Sequence, residues 1–171
     1  VVGVRLAELL GVSPPTVTNT LKRMVRDGLI VSDKEGTRLT RAGRKSAQTV
    51  MRRHMLTEWM MVTRLPWSRL HGEAHNLEHA ISEETESALL AELGNPLTCP
   101  HGNPIPGSGY KAPDMVCLSE LTVGDEFTVR RIPEALEFTP GLLDFLEEAA
   151  IQPGHEGTVT ASSPDGTTTV E

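Results

Sequence analysis

Histidine and acidic residues are concentrated in the middle of this chain. Five of its six histidines lie between His54 and His101. Four potential metal ligands fall within ten residues: His71, His75, Glu78 and His79. At about 100° of rotation per helical residue, these four side chains lie within an arc of about 100° on one helix face. Imidazole and carboxylate groups arranged in this way are typical ligands of a first-row divalent metal.

A second pair of potential ligands lies upstream. His54 and Glu58 are four residues apart on a predicted helix over 40–63, so both side chains lie on the same face. Two facing helices that carry inward histidines and acids predict a metal centre between them. A metallohydrolase that activates water with these ligands is an alternative, but the chain contains no H-E-x-x-H unit.

The residues ahead of these ligands predict a helix-turn-helix. Apolar spacing over 4–10 indicates a short helix that ends at Gly11. Ser13 is a suitable N-cap and Pro14 suits the first helical position, so a second helix is predicted over 15–27. Two short helices joined by about three residues are typical of a helix-turn-helix.

A β-hairpin is predicted next, in the position of the wing in a winged helix. It comprises residues 29–31, a turn at 33–36 and residues 37–39. Small polar side chains early in the second helix suit base edges, and the basic residues around them suit phosphates. The candidate DNA-binding residues are Ser13, Pro15, Thr16, Thr18, Asn19, Lys22, Arg23, Lys34 and Arg38.

Charge is distributed unevenly along the 171 residues. Residues 1–53 carry eleven Lys and Arg against four acids, whereas the remainder has a net charge of −14. This asymmetry indicates a nucleic-acid-binding end joined to an acidic part. The chain has no secretory-type start, no apolar run of about 20 residues and only two cysteines. We therefore predict a soluble, cytoplasmic protein with no membrane partner and no disulfide framework.

The C-terminal third follows a Pro- and Gly-rich stretch and has β-type alternation. Strands are predicted within 116–121, 123–131 and 153–160, and a short helix over 142–150. The predicted fold is mainly α with a small β domain. Its predicted parts are a winged helix-turn-helix over 1–50, a helical metal-binding and dimerisation domain over 51–113, and a small barrel over 114–171.

Five motifs together resemble the diphtheria toxin repressor family of metal-dependent transcriptional regulators, over nearly the whole chain. They are R-L-A-E-L-L at 5–10, S-P-P-T-V-T-N-T-L-K-R-M at 13–24, R-H-M-L-T-E at 53–58, H-x-E-A-H-x-x-E-H at 71–79 and C-P-H-G-N-P-I-P-G at 99–107. The resemblance implies a homodimeric repressor, not an enzyme, that binds double-stranded operator DNA when loaded with Fe(II) or Mn(II). Co(II), Ni(II) or Zn(II) would substitute in vitro. The barrel would be SH3-like.

The resemblance also assigns roles to the ligands. An ancillary metal site would comprise His54, Glu58 and His71, and a primary, activating site would comprise His75, Glu78 and His79. Iron-responsive members have a cysteine at the position of His75 and manganese-responsive members have a glutamate, so the choice between the two metals stays open. The family has a helix before Arg5 that donates one more primary-site ligand, and we expect the printed sequence to lack it.

Several residues near these ligands are expected to be structural. His101 lies outside the helical ligand registers, and Cys99 is expected to end a loop. The C-terminal domain is expected to pack without donating a ligand, and Glu137 would serve only if the alignment register shifts. If the histidines are all structural, the alternative is a winged-helix regulator that responds to a small organic ligand.

Overall fold

The computed structural model describes residues 2–34 and 36–171, without the side chain of Val2. It contains two compact units, Val1–Val50 and Met51–Glu171. Within the described residues, no helix is both long enough and apolar enough to cross a membrane.

The first unit begins with the predicted pair of helices. Helix α1 spans Val2–Leu10 and helix α2 spans Pro14–Arg26. Gly11 ends α1 with a positive φ of 62°, a conformation that glycine adopts without steric cost. The Ser13 hydroxyl accepts a hydrogen bond from the Thr16 N–H at 3.3 Å, so the predicted N-cap is confirmed.

The predicted hairpin is also present. Strand β1 (Ile30–Asp33) pairs antiparallel with strand β2 (Gly36–Leu39). Thr40 then caps the next helix, because its hydroxyl accepts from the Gly43 N–H at 3.0 Å. A Cβ atom at Gly43 would lie 1.9 Å from the Leu29 carbonyl oxygen, so this close approach requires glycine.

Helix α3 spans Arg41–Met61 and continues from the first unit into the second. Its C-terminal half packs into the main apolar core of the second unit. The buried members of that core are Met55, Leu56, Leu89, Cys99 and Ile105.

The predicted ligand helix is divided into shorter pieces. A 3-10 turn at Trp67–Arg69 leads into helix α4 (Leu70–Leu77), and a second 3-10 turn follows at Glu78–Ala80. Ser82 caps helix α5 (Glu83–Glu92) through the Thr85 N–H. The chain therefore leaves α-helical geometry between His75 and Glu78.

The C-terminal β-rich part is smaller than predicted. Strands β3 (Glu126–Thr128), β4 (Glu156–Ser162) and β5 (Thr168–Val170) form an antiparallel sheet in that order. The strand predicted within 116–121 is wrong. That segment holds a 3-10 turn, in which the Cys117 N–H donates to the Glu120 carboxylate at 2.9 Å.

Two short helices connect β3 to β4. They are α6 (Glu134–Glu137) and α7 (Leu142–Glu148), and Gly141 joins them with a positive φ of 75°. In the described residues the three-stranded sheet is open, so the closed barrel predicted for 114–171 is not observed.

Candidate metal centre

The buried face of α3 supplies two ligand-type side chains to the centre of the second unit. His54 Nε2 lies 3.2 Å from Glu58 Oε1, as expected for residues one helical turn apart. Both side chains are buried. A carboxylate and an imidazole at such a site need partners, because burying an unpaired charge is costly.

His71 from α4 completes the predicted trio. Its Nδ1 atom lies 3.1 Å from His54 Nε2 and 3.6 Å from Glu58 Oε1. Two imidazole nitrogens and one carboxylate oxygen therefore converge on a common point. The structure brings together the three residues predicted as the ancillary site.

Glu137 from α6 joins this group. Its Oε2 atom lies 2.7 Å from His71 Nδ1, and its Oε1 atom accepts from the Asn103 amide at 2.6 Å. The C-terminal part was expected to donate no metal ligand, and the structure places its Glu137 side chain against His71 of the cluster. Glu137 is the last residue of α6 (Glu134–Glu137) and is buried.

His101 reaches the cluster from the opposite side. Its Nδ1 atom lies 3.3 Å from Glu58 Oε2, and its ring packs 4.5 Å from the ring of Trp67. Ligand-type atoms of Glu58, Cys99 and His101 lie within 4.8 Å of one another. His101 was expected to be structural, and the C-x-H spacing at 99–101 is the sequence feature that could have indicated its position beside Glu58.

The buried cluster, defined as His54, Glu58, His71, His101 and Glu137, has a donor set that fits a divalent transition metal. Its ligand-type atoms are nitrogen and oxygen, which suit Mn(II) and Fe(II) as well as heavier first-row ions. Nε2 of His71 and Nε2 of His101 are buried without a hydrogen-bond partner in the described structure. Unpartnered buried atoms are rare in folded proteins, and an ion or a water molecule is one way to satisfy them. The atoms of these two rings that face the cluster carboxylates are the Nδ1 atoms.

Protonation equilibria in the cluster are strongly perturbed. Burial disfavours the charged imidazolium of His71, but hydrogen bonds to Glu137 and Glu58 outweigh burial and raise the pKa of His71 to about 9. Burial is likewise outweighed at His54, where hydrogen bonds to carboxylates raise the pKa. At Glu58 burial favours the neutral acid, yet hydrogen bonds from the surrounding imidazoles lower the pKa far below its usual range. Without metal, these shifts favour the protonated imidazoles of His54 and His71 beside the ionised carboxylate of Glu58.

The predicted primary-site residues are arranged differently. His75 Nδ1 lies 3.5 Å from Glu78 Oε1 and His79 Nε2 lies 3.4 Å from the same atom. Glu78 is buried and its Oε2 atom lies 2.8 Å from His54 Nδ1. The side chains of His75 and His79 are 67% and 74% exposed. We call His75, Glu78 and His79 the exposed triad, after its two exposed histidines.

The nine candidate DNA-binding residues are all exposed in the first unit, whereas Val17 of α2 is buried. Several of their side chains already have intramolecular partners. The Thr18 hydroxyl donates to the Pro14 carbonyl at 3.0 Å, and Arg38 forms an ion pair with Asp33. The candidate DNA-binding face is therefore accessible to solvent. The Thr18 hydroxyl on this face also forms a hydrogen bond within helix α2.

Comparison with known protein families matches both units. Residues 1–37 match the model described as iron dependent repressor, N-terminal DNA binding domain. Residues 40–107 match the model described as iron dependent repressor, metal binding and dimerisation domain. The chain is also 38% identical over 180 residues to the iron-dependent repressor IdeR of Mycobacterium tuberculosis, covering 97% of this chain and 78% of that protein. The chain belongs to the iron-dependent repressor family.

Other comparisons agree with iron-dependent repressor membership. The diphtheria toxin repressor of Corynebacterium diphtheriae is 40% identical over 124 residues, or 71% of this chain and 50% of that protein. A solved manganese-dependent transcriptional repressor in complex with manganese is similar with a TM-score of 0.77 and 32% identity, covering 99% of this chain and 84% of that one. ScaR with bound Cd2+ is similar with a TM-score of 0.76 and 28% identity, over 99% and 81% of the two chains. The family consists of transcriptional repressors, which are not enzymes.

Proposed function

We propose that this protein is a homodimeric transcriptional repressor that binds operator DNA when it carries Fe(II) or Mn(II). The observation that carries the proposal is the buried convergence of His54, Glu58 and His71 in the segment that matches a metal-binding and dimerisation domain. Co(II), Ni(II) and Zn(II) would serve as substitutes in vitro, because they accept the same ligand types.

We propose two metal sites in this protein. The predicted ancillary ligands would hold one ion in the buried cluster, with Glu137 and His101 as further donors. The exposed triad of His75, Glu78 and His79 would hold the activating ion. A bound ion supplies positive charge at each site and takes the place of protons on the imidazoles.

His54 is the side chain that connects the two sites. Its Nε2 atom faces Glu58 of the buried cluster and its Nδ1 atom faces Glu78 of the exposed triad. A histidine ring has two distinct nitrogen atoms, and the partner of one sets the protonation of the other. We infer that the state of the buried cluster adjusts how Glu78 is held for the second ion.

DNA would be bound through α2 and the hairpin. Thr16, Thr18 and Asn19 would face base edges, beside Ser13 and Pro15 at the start of the helix. Lys22, Arg23, Lys34 and Arg38 would neutralise phosphates. In a homodimer, two such helices would contact the two halves of a palindromic site. Metal increases DNA affinity if both ligands favour the same arrangement of the dimer.

Two further features belong to this proposal. We infer that the C-terminal part is a member of the SH3-like class, supported by the antiparallel order of β3, β4 and β5. We also infer that the protein works in the cytoplasm, because its partner is operator DNA.

Fluorescence anisotropy on the protein's own upstream DNA tests the proposal. Affinity would be compared in chelator, in Mn(II) and in anaerobic Fe(II) at one fixed salt concentration. We expect one of the metals to raise affinity by about tenfold or more. Equal affinity in chelator would contradict metal dependence and favour the organic-ligand alternative.

A further inference from the structure

The buried cluster poses a problem of access. All five of its side chains are at most 8% exposed, so a cation cannot reach them directly from solvent. A metal ion that exchanges with solvent must pass between side chains that can move. The structure therefore has to contain a route to the cluster.

A cleft of about 330 Å³ lies against the cluster, between α4 and the α6–α7 segment. Two members of the cluster, His71 and Glu137, line it directly. Its other walls include the exposed residues Arg69, Asn76 and Asp144. The cleft thus connects solvent-exposed residues with two cluster side chains.

Phe138 lies where the cleft meets the cluster. It follows Glu137 in the chain, lines the cleft, and packs edge-to-face on His71 with ring centroids 4.6 Å apart. Phe138 is nevertheless 62% exposed. An aromatic ring with so little packing on its outer side can change rotamer at low cost, so it covers His71 without being held in place.

The charge of the α6–α7 segment favours a cation on this route. Of the residues that line the cleft, Glu137 and Asp144 of this segment and Glu73 of α4 carry carboxyl groups. The basic residues of the lining are Arg69 and His71. A cleft with excess negative charge raises the local concentration of cations and their association rate.

We propose that this cleft is the entry route for the divalent cation and that Phe138 is its gate. The Phe138 ring sets the rate of metal exchange at the buried cluster, whereas the cluster side chains set the affinity. This inference rests on the proposed function, in which the buried cluster holds a metal ion.

The test measures metal exchange rates in the full chain, with Co(II) alone as the probe. Association would be followed by stopped-flow Co(II) absorbance, and release by mixing the loaded protein with excess chelator. His54, His75 and Glu78 also have ligand-type atoms within 4.8 Å of one another, so the background is His75→Ala with His79→Ala. It removes both exposed histidines of the triad, so the signal reports the buried cluster. Phe145→Ala is the matched control, because Phe145 is 59% exposed on α7 and is not among the residues that line the cleft.

We expect Phe138→Ala to raise both the association and the release rate by about fivefold or more, with the dissociation constant within about twofold. Phe145→Ala should leave both rates unchanged. Asp144→Asn should slow association at low ionic strength, and that difference should disappear at high salt.

Two results would contradict the proposed role of Phe138 as the gate. If Phe138→Ala leaves the association rate unchanged, the cation enters elsewhere. If only release becomes faster, Phe138 stabilises the bound state by packing on His71. A wild-type protein with no Co(II) signal would overturn the proposed function, and the gate with it.

Discussion

The buried cluster and the exposed triad use the same kinds of side chain in opposite surroundings. In the cluster, Glu58 and His101 are 1% and 0% exposed and touch each other across 3.3 Å. In the triad, only Glu78 is buried, and the two histidines extend toward solvent. The cluster draws side chains from α3, α4, α6 and the loop at 99–107. The triad comes from one stretch of chain, 75–79.

This difference separates a preorganised site from one that must be ordered. The cluster side chains are held by packing and hydrogen bonds, so binding a metal ion would cost them little conformational entropy. Each exposed histidine of the triad loses rotamer freedom when it binds, at a cost of up to about 1 kcal/mol. We infer that the cluster binds metal more tightly, and that the triad responds to changes in metal concentration.

The largest effect is expected when the Glu58 side chain is removed from the buried cluster. We expect Glu58→Ala to lower the free energy of unfolding by about 3–5 kcal/mol, because buried protonated imidazoles lose their central carboxylate. Chemical denaturation of the metal-free protein would measure it. Glu92→Ala, at an exposed site on α5, is the control and should change stability by less than about 0.5 kcal/mol. A loss at Glu58 as small as at Glu92 would mean that the cluster is not the structural centre of its unit.

His79→Ala tests the triad. Because the side chain is 74% exposed, stability should change by less than about 0.5 kcal/mol. The metal-stimulated increase in DNA affinity should nevertheless disappear, a loss of about tenfold or more in anisotropy. An unchanged metal response would remove His79 from the activating site. A large loss of stability would show that His79 has a packing role that its exposure does not indicate.

The pH dependence of metal affinity should distinguish the buried cluster from a site built from ordinary imidazoles. His71 binds metal in its neutral form, so a pKa of about 9 means that a proton must leave at neutral pH. Affinity at the cluster should fall by up to about tenfold per unit as pH drops from 9 toward 7. An ordinary imidazole would show this fall only below about pH 6.5. Co(II) titrations at pH 7 and 8 distinguish the two windows.

The free energy of unfolding of the metal-free protein should decrease as pH rises, which is opposite to the trend in metal affinity. A raised pKa stabilises the folded state fully below the unfolded value of about 6.5, and this contribution is lost as pH rises through about 9. Denaturation at pH 6.5 and pH 9 would test it. If metal affinity and metal-free stability both increase with pH, His71 is not the group that titrates.

The smallest effects are expected for substitutions on the candidate DNA-binding face of the first unit. They should change DNA binding without involving the buried cluster or the exposed triad. Lys22→Ala should weaken binding to all sequences alike and reduce the salt slope by about one, because it removes one phosphate contact. Asn19→Ala, at a neighbouring exposed position, should relax sequence preference with the salt slope unchanged. Anisotropy on matched and mismatched operators over a salt series measures both. A Lys22 variant that changes only specificity would reverse the assignment of base and phosphate contacts.

Local elements could be predicted from the residues because their causes lie within a few positions. Ser13 caps α2 and Thr40 caps α3 through hydrogen bonds that span three residues. Helical spacing alone placed His54 and Glu58 on one face. The same approach failed at Leu118–Glu120, where alternation of apolar residues predicted a strand. The Cys117 N–H donates a hydrogen bond to the Glu120 carboxylate, and this bond favours a turn there.

The motifs of the sequence indicated the family and, through that resemblance, the grouping of His54, Glu58 and His71. The helix pair, the hairpin and the charge asymmetry indicated the DNA-binding unit. Only the tertiary structure decided that His101 and Glu137 complete the cluster and that His75 and His79 stay exposed. The reason is how far apart along the chain the contacting residues lie. Caps and helix faces arise from contacts three or four residues apart, which leave a period in the sequence. A loop histidine and an acid on a short C-terminal helix reach Glu58 and His71 through long-range packing, which leaves no such period.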